Sequence, residues 1–294
     1  MHTTMKKRNT VFVNTLFIFI FLTLVLILFL TFGVVHKNIL PTCDRFLSRN
    51  TPRSLTKDGF CLLKNVFDSS EVDYMANQAH DQSSTSLNGI KTYIINHQKL
   101  LERIYKQCNL KGYEFNDYIF AILGSQISTC HRDFNGTMFH DQLKHPTYTM
   151  VVYLHQMRAC MDVVPESHVR EYNNNYLIDN TKHVTCEIGD VLLFNSNLIH
   201  TGSIINDDVS NPRIQMKLCH KDDRKHLEFL EDYTRVLNDK LHMNRSMQFA
   251  KHYTCQVPFN YVKNDNGVSN WYERAFKRLA YGEINALNIE KPSN

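Results

Sequence analysis

The sequence predicts a mainly β domain with flanking helices, its sheets packed as a sandwich or jelly roll, preceded by one N-terminal transmembrane helix. Three observations support this. Between Asp117 and Leu218, short runs rich in Val, Ile, Phe, Tyr and Thr are separated by Gly, Asn, Asp and Pro, a texture of strands and turns rather than of a βαβ array. On either side of that block the apolar residues recur at helical intervals. From Leu16 to Val35 the chain carries no charged residue, and a helix rising about 1.5 Å per residue would there span roughly the 30 Å hydrocarbon core of a bilayer.

In chain order, residues 1–10 are a tail containing Lys6, Lys7 and Arg8, and residues 11–35 are the anchor. Within it Thr23 and Thr31 can return their hydroxyls to the helix backbone. A cleaved signal peptide would want a shorter apolar core and a small-residue cleavage site, which Phe32-Gly33-Val34-Val35 does not supply. The basic tail favours a cytoplasmic N-terminus with the domain luminal or extracellular, although Lys37, Arg45, Arg49 and Arg53 nearly balance it. Sequons at Asn135 and Asn244 are compatible with a lumen and decide nothing alone. Residues 36–54, with Pro41, Pro52, Ser48 and Ser54 and no apolar period, read as a stalk, leaving 55–294 as the folded domain.

Asp68-Ser69-Ser70-Glu71 has capping-box spacing, and Val72, Met75, Ala76 and Ala79 follow at helical intervals, which predicts a helix over 69–81. A second helix fits Leu100, Leu101, Ile104, Tyr105 and Cys108. Within the core block 117–218 the clearest strands are Tyr118 to Leu123, Thr147 to Leu154, Asp190 to Asn195 and Arg213 to Leu218. After Lys221 helical spacing returns, with Leu230, Tyr233, Leu237 and Leu241 on one stripe, so 222–294 reads as a helical C-terminal region.

Composition narrows the classes of partner. With 43% hydrophobic residues in 294, the chain can bury a sizeable core. Its net charge of +4 comes without a long basic run, so neither nucleic acid nor an anionic surface is implied. Eight cysteines are spread without a C-x-x-C pair, which removes structural zinc modules from consideration, while the even number permits disulfides in an oxidising compartment.

The residues that carry chemistry begin at His131-Arg132-Asp133, because residues i and i+2 of an extended segment project to one face. Taken alone the pair reads more readily as a surface hydrogen-bonded couple. A second imidazole would complete a facial triad of two histidines and one carboxylate for non-haem iron(II), with positions open for a co-substrate and dioxygen. His200 is the candidate, at the end of an apolar strand that follows the turn Gly189-Asp190. Arg213 suits forked capture of the distal carboxylate of 2-oxoglutarate, and strand alternation puts Gln215 beside it. Gln126, Tyr148 and Ser203 are further candidates for contacting the co-substrate, and Asn195 for contacting substrate. His168 reads as a turn histidine bonding backbone, and His140, His145, His155 and His220 as surface or supporting residues. The string His-Arg-Asp is not a kinase catalytic loop, since Met138 stands where that loop wants Asn, and no G-x-S-x-G elbow marks a serine hydrolase.

Over roughly residues 57 to 218 these motifs resemble the phytanoyl-CoA dioxygenase-like family of iron(II)/2-oxoglutarate oxygenases. Lys57-Asp58-Gly59-Phe60 followed by Leu62 to Phe67 looks like the family's opening strand; Val163-Val164-Pro165-Glu166-Ser167-His168 is similar to its Pro-Gly-Ser-His turn; Gly189-Asp190 through His200-Thr201-Gly202-Ser203 to Asn206 resembles its second metal-binding segment. The resemblance implies a double-stranded β-helix, cupin-like, and oxidative decarboxylation of 2-oxoglutarate to succinate and carbon dioxide coupled to hydroxylation of an aliphatic carbon. Retention of Asp133 argues for hydroxylation over halogenation. Two positions depart from the family: Glu166 stands where it usually has Gly, and Arg213-Ile214-Gln215 replaces a frequent Arg-x-Ser. The substrate, whether small molecule, lipid or protein, is not legible. The alternative is a jelly-roll protein that keeps the fold as a metal- or ligand-binding module without turnover.

Overall fold

A computed structural model describes residues 17–26, 46–124, 132–133, 143–157, 159–169, 182–203, 212–238 and 287–288. Residues 17–26 are helical and exposed, and Thr23 Oγ1 donates to the Phe19 carbonyl at 2.8 Å. That stretch covers about 15 Å, half of a hydrocarbon core. Among the described residues no helix is long and apolar enough to cross a membrane. The remainder of the expected anchor, 11–16 and 27–35, lies outside the described residues, as do both sequons.

The domain begins before residue 55. Phe46–Leu47 form strand β1, and Arg49 forks onto Asp190, Nε to Oδ2 at 2.7 Å and Nη2 to Oδ1 at 2.8 Å. Asp190 is fully buried, so its charge requires such a partner. Reading 36–54 as a stalk therefore fails from residue 46 onward. An arginine held by a carboxylate far along the chain leaves no periodicity in its own neighbourhood.

The next elements are β2 (Phe60–Leu63), α1 (Ser69–Asp81), α2 (Ser84–Ile95) and α3 (Gln98–Lys106). The expected capping box closes α1: Asp68 Oδ1 accepts from Glu71 N–H at 2.9 Å, and Glu71 Oε2 accepts from Asp68 N–H at 2.7 Å. Val72, Met75 and Ala79 bury its inner stripe. Helix α2 is absent from the sequence reading, because Gly89, Thr85 and Thr92 dilute its helical character. Ser83 caps it, and Leu87, Ile90 and Ile94 supply the buried face.

The strands that follow are β3 (Tyr113–Phe115), β4 (Tyr118–Ile122), β5 (Tyr148–Tyr153), β6 (Met161–Val164), β7 (Lys182–Val184), β8 (Val191–Asn195), β9 (Ile199–Gly202), β10 (Arg213–His220), β11 (Tyr233–Leu237) and β12 (Leu287–Asn288). A larger sheet has the order β12-β11-β4-β10-β5-β8-β2, with β3 also beside β10; a smaller one has β1-β7-β6-β9. Mixed sheets with flanking helices fit a jelly-roll-like arrangement. One face of the larger sheet, with Met150, Val152, Leu193, Ile214 and Met216, packs against the helices. The other, with Val151, Tyr153, Leu192 and Phe194, meets Met161, Val163 and Val184 of the smaller sheet. Every residue of β5 is consequently buried.

The start of the C-terminal region differs from expectation. Residues 221–226 and 228–230 are short 3-10 turns, and Tyr233–Leu237 is a strand parallel to β4, not a helix. The apparent stripe of Leu230, Tyr233 and Leu237 joins two different elements, and the aromatic and β-branched content of 233–237 suits the strand. Tyr233 stacks on Tyr118 with ring centroids 4.3 Å apart. Residues 239–286 lie outside the described set.

Gly189 is required where it stands. It has φ +83°, and a Cβ there would lie 2.0 Å from the Phe67 carbonyl oxygen. Its own carbonyl accepts from Val66 N–H and Phe67 N–H at 2.8 and 3.0 Å, locking the entry to β8 against the end of β2. Cys160 and Cys186 are paired as a disulfide, and Cys61, Cys108 and Cys219 are free.

Candidate metal centre

Register decides which side chains share the space between the sheets. On β10, Arg213, Gln215 and Lys217 lie opposite Tyr153, Val151 and Thr149 of β5, and Thr149 in turn lies opposite Phe194 of β8. Because pleating sends alternate residues to one face, all of these point toward the smaller sheet. From that sheet His200, opposite Val163, points back, its ring centroid 4.4 Å from that of Phe194.

Asp133 reaches the same space from outside the strands. Its N–H donates to the Ser196 carbonyl at 2.8 Å, and Ser196 N–H donates to the Thr147 carbonyl at 3.0 Å. The buried Arg132 guanidinium donates from Nη1 to the Ser167 carbonyl at 2.5 Å and also to the Asn197 carbonyl. One side chain thus ties the Asp133 segment to both the β8–β9 turn and the turn after β6.

The His200 ring is fixed by its backbone neighbourhood. Nδ1 lies 3.0 Å from the Leu198 carbonyl oxygen, which can only accept, so Nδ1 carries the proton. In the neutral ring Nε2 then presents a lone pair, 3.6 Å from Asp133 Oδ1. That is too long for a hydrogen bond and close to the roughly 3 Å that separates adjacent ligands of one metal ion at bonds of about 2.1 Å. The other carboxylate oxygen, Oδ2, accepts from Lys217 Nζ at 2.5 Å and from the Thr149 hydroxyl. Lys217 Nζ also meets Thr149 Oγ1 at 2.7 Å. Asp133, His200, Thr149 and Lys217 are all buried. Burial lowers the Lys217 ammonium from its ordinary value, and the Asp133 charge opposes that. Desolvation likewise lowers the Arg213 guanidinium, with the neighbouring Tyr153 acting the other way.

An imidazole lone pair and a carboxylate oxygen facing each other in a water-poor space form a donor set that fits iron(II), with the remaining carboxylate oxygen held by hydrogen bonds as ligating carboxylates are. Of the sequence-derived residues, the structure brings Asp133 and His200 together, and puts Arg213 and Gln215 on the wall that carries Lys217. His131 and Gln126 lie outside the described residues. Ser203 is buried immediately after β9.

Two expectations are corrected. Tyr148 faces the helices, its ring 5.3 Å from that of Tyr113 and within the helix-side core. Asn195 lies opposite Tyr148 in register, and its Oδ1 accepts from Asn197 N–H at 2.9 Å, so it closes the β8–β9 turn where a substrate contact was expected. Both stand near the metal motifs in sequence, but a strand separates its two faces by a single residue. His168 bonds backbone, Nε2 to the Thr56 carbonyl at 3.0 Å. A cavity of about 260 Å³ lined by Ile95, Ile104, Tyr113, Phe115 and Leu218 belongs to the helix side of the sheet and not to this centre.

The residues that sequence reasoning missed are Lys217, Thr149 and Arg132. The alternation that places Gln215 beside Arg213 continues to Lys217 and could have found it. Thr149 requires the β5–β10 register, and Arg132 requires the positions of two distant carbonyls.

No protein-family profile matches the chain, and no curated protein matches it. Among solved structures the chain is similar to apo HygX from Streptomyces hygroscopicus, at 16% identity and a TM-score of 0.42, covering 60% of this chain and 87% of that one. HygX with nickel and 2-oxoglutarate bound gives 16% identity and 0.41, covering 57% and 84%. SnoN, a non-haem alpha-ketoglutarate-dependent epimerase from nogalamycin biosynthesis, gives 15% and 0.43, covering 56% and 79%. At such identities and scores these likenesses assign neither family nor activity.

Proposed function

We propose that the chain is a non-haem iron(II), 2-oxoglutarate-dependent oxygenase of the phytanoyl-CoA dioxygenase-like kind, hydroxylating an aliphatic carbon with release of succinate and carbon dioxide. The observation that carries this reading is the approach of His200 Nε2 to Asp133 Oδ1, two electron-pair donors 3.6 Å apart in a buried space. His131, two residues before Asp133, is assigned as the third ligand on sequence grounds. Iron(II) with bound 2-oxoglutarate supplies activation of dioxygen.

The protein's own part is orientation and exclusion of water. The Leu198 carbonyl sets the His200 tautomer, and Lys217 and Thr149 hold one oxygen of Asp133 so that the other faces the imidazole. Arg213 offers a planar fork to the distal carboxylate of 2-oxoglutarate, with Gln215 as a neighbouring donor. Phe194, Tyr153 and Val163 keep the space apolar around these groups. The uncharged run from Leu16 to Val35 supports a membrane anchor; loss of alkaline-carbonate-resistant membrane association on deleting residues 11–35 tests it.

Anaerobic addition of iron(II) and 2-oxoglutarate should give the visible charge-transfer band of the chelate, and admission of air should release succinate. Arg213→Ala should raise the apparent KM for 2-oxoglutarate far more than it weakens iron binding. A second reading has one observation in its favour: the Lys217 ammonium already neutralises Asp133 without a metal. In that reading the chain is a non-catalytic binding module, and the charge-transfer band is absent.

A further inference from the structure

We propose that His145, His220 and Asp222 form a second metal site, separate from the centre described above, that takes a zinc-class divalent cation. One donor atom from each residue lies within 4.8 Å of the others. Asp222 Oδ2 is 3.6 Å from His220 Nδ1 and 3.9 Å from His145 Nε2. A tetrahedral ion with bonds of roughly 2.0–2.1 Å holds its ligand atoms about 3.4 Å apart, so both carboxylate contacts close with shifts of a few tenths of an ångström. The site lies three residues past Lys217 on β10 and on the opposite face of that strand, where His220 pairs in register with Tyr113.

Neighbouring contacts position the two histidines. Buried Asp223 accepts from Lys144 N–H at 3.0 Å and His145 N–H at 2.8 Å, fastening the His145 backbone to the 3-10 segment that carries Asp222. Gly112, at φ +81°, makes room for the His220 ring, since a Cβ there would lie 2.6 Å from its Nε2. Lys221 N–H donates to the Gly112 carbonyl at 3.0 Å and fixes the end of β10 on that glycine. Tyr113 packs edge-on against the His220 ring at 5.3 Å, and the two imidazoles stack at 3.7 Å. An incoming ion displaces one long bond, from Asp222 N–H to His220 Nδ1 at 3.3 Å.

The donor chemistry selects the cation. Two imidazole nitrogens and one carboxylate oxygen suit zinc, nickel or copper, whereas calcium and magnesium want oxygen throughout. His145 and Asp222 side chains are 38% and 49% exposed, so an ion can enter and keep a water as its fourth ligand. Once bound, it clips the segment before β5 to the end of β10, the same ends of the two strands that carry Thr149 and Lys217.

The test uses the full chain carrying His200→Ala, which removes a ligand of the first centre. That protein should bind one equivalent of Zn2+ by calorimetry, gain a visible d–d band with Co2+, and melt higher with Zn2+. Adding His145→Ala, with the zinc-free melting temperatures of the two proteins compared as a control for folding, should abolish the band and weaken zinc binding by about tenfold or more. Asp222→Asn should do the same. Equal zinc affinity with and without His145, or no zinc bound by His200→Ala, would overturn the proposal. Both proteins compared carry the same His200 change, so the outcome does not depend on the iron reading.

Discussion

Lys217 Nζ lies 2.5 Å from Asp133 Oδ2, the carboxylate oxygen that does not face His200. The two oxygens therefore have separate surroundings, Oδ2 an ammonium and a hydroxyl, Oδ1 the His200 imidazole. Removing the ammonium takes a countercharge from a buried carboxylate, and breaking such pairs on one side typically costs 3–5 kcal/mol. Lys217→Met should destabilise the metal-free chain by about 3 kcal/mol in urea unfolding. Iron(II) should then raise the melting temperature more in the variant than in the parent, since it supplies positive charge that the parent already has. Unchanged stability would mean that Asp133 is not charged in the folded chain.

Arg132 is the second device that holds the centre together. Its guanidinium reaches the Ser167 and Asn197 carbonyls at once, which the single ammonium of a lysine does not reproduce. Arg132→Lys should cost about 2 kcal/mol, the desolvation of a carbonyl left without its donor. It should also weaken metal binding, because Asp133 is the adjacent residue. A loss of stability with no change in metal affinity would show that Ser196 alone positions Asp133.

Glu166 has φ +68°, in the left-handed region that favours glycine. A non-glycine residue there carries backbone strain of about 1–2 kcal/mol. Glu166→Gly should stabilise the chain by about 0.5–1 kcal/mol after the added flexibility of glycine in the unfolded state is subtracted. A shift of the urea midpoint to higher concentration, at unchanged slope, checks it.

Glu71 couples stability to acid. Desolvation raises its pKa, but hydrogen bonds from Tyr93 Oη, Asp68 N–H and His97 outweigh that, and the net shift is downward. A carboxylate whose folded pKa lies below its unfolded value contributes stability that is fully present above the unfolded value of about 4.3. That contribution is lost as pH falls through the folded pKa. Tyr93→Phe removes one of the donors, so the variant's stability should fall less steeply than the parent's below about pH 4. Parallel acid titrations of unfolding free energy would compare the two; identical slopes would exclude Glu71 as the coupled group.

The fold was legible wherever a local pattern had one cause. The capping box before α1 and the apolar runs of β4, β5, β8 and β10 each follow from neighbouring residues, and the structure puts these elements within a residue or two of expectation. Local pattern misled where its causes were mixed. The stripe through Leu230, Tyr233 and Leu237 joined a 3-10 turn to a strand, and α2 was hidden by residues of weak helix preference. The chain before residue 55 looked like a stalk because Arg49 is ordered by Asp190, a residue 141 positions away.

The sequence by itself determined the kinds of group available: a His-x-Asp pair, a later histidine at a strand end, and a strand carrying Arg213 and Gln215 in alternation. Tertiary structure alone decided which of these meet. The pairing register turned Tyr148 and Asn195 away from the space that holds Asp133 and His200, and it brought Thr149 and Lys217 in. The reason is that residue type and alternation are local properties of the chain, whereas a cross-strand partner, a carbonyl reached by Arg132 or a lone pair aimed by Leu198 depends on how distant segments are laid together.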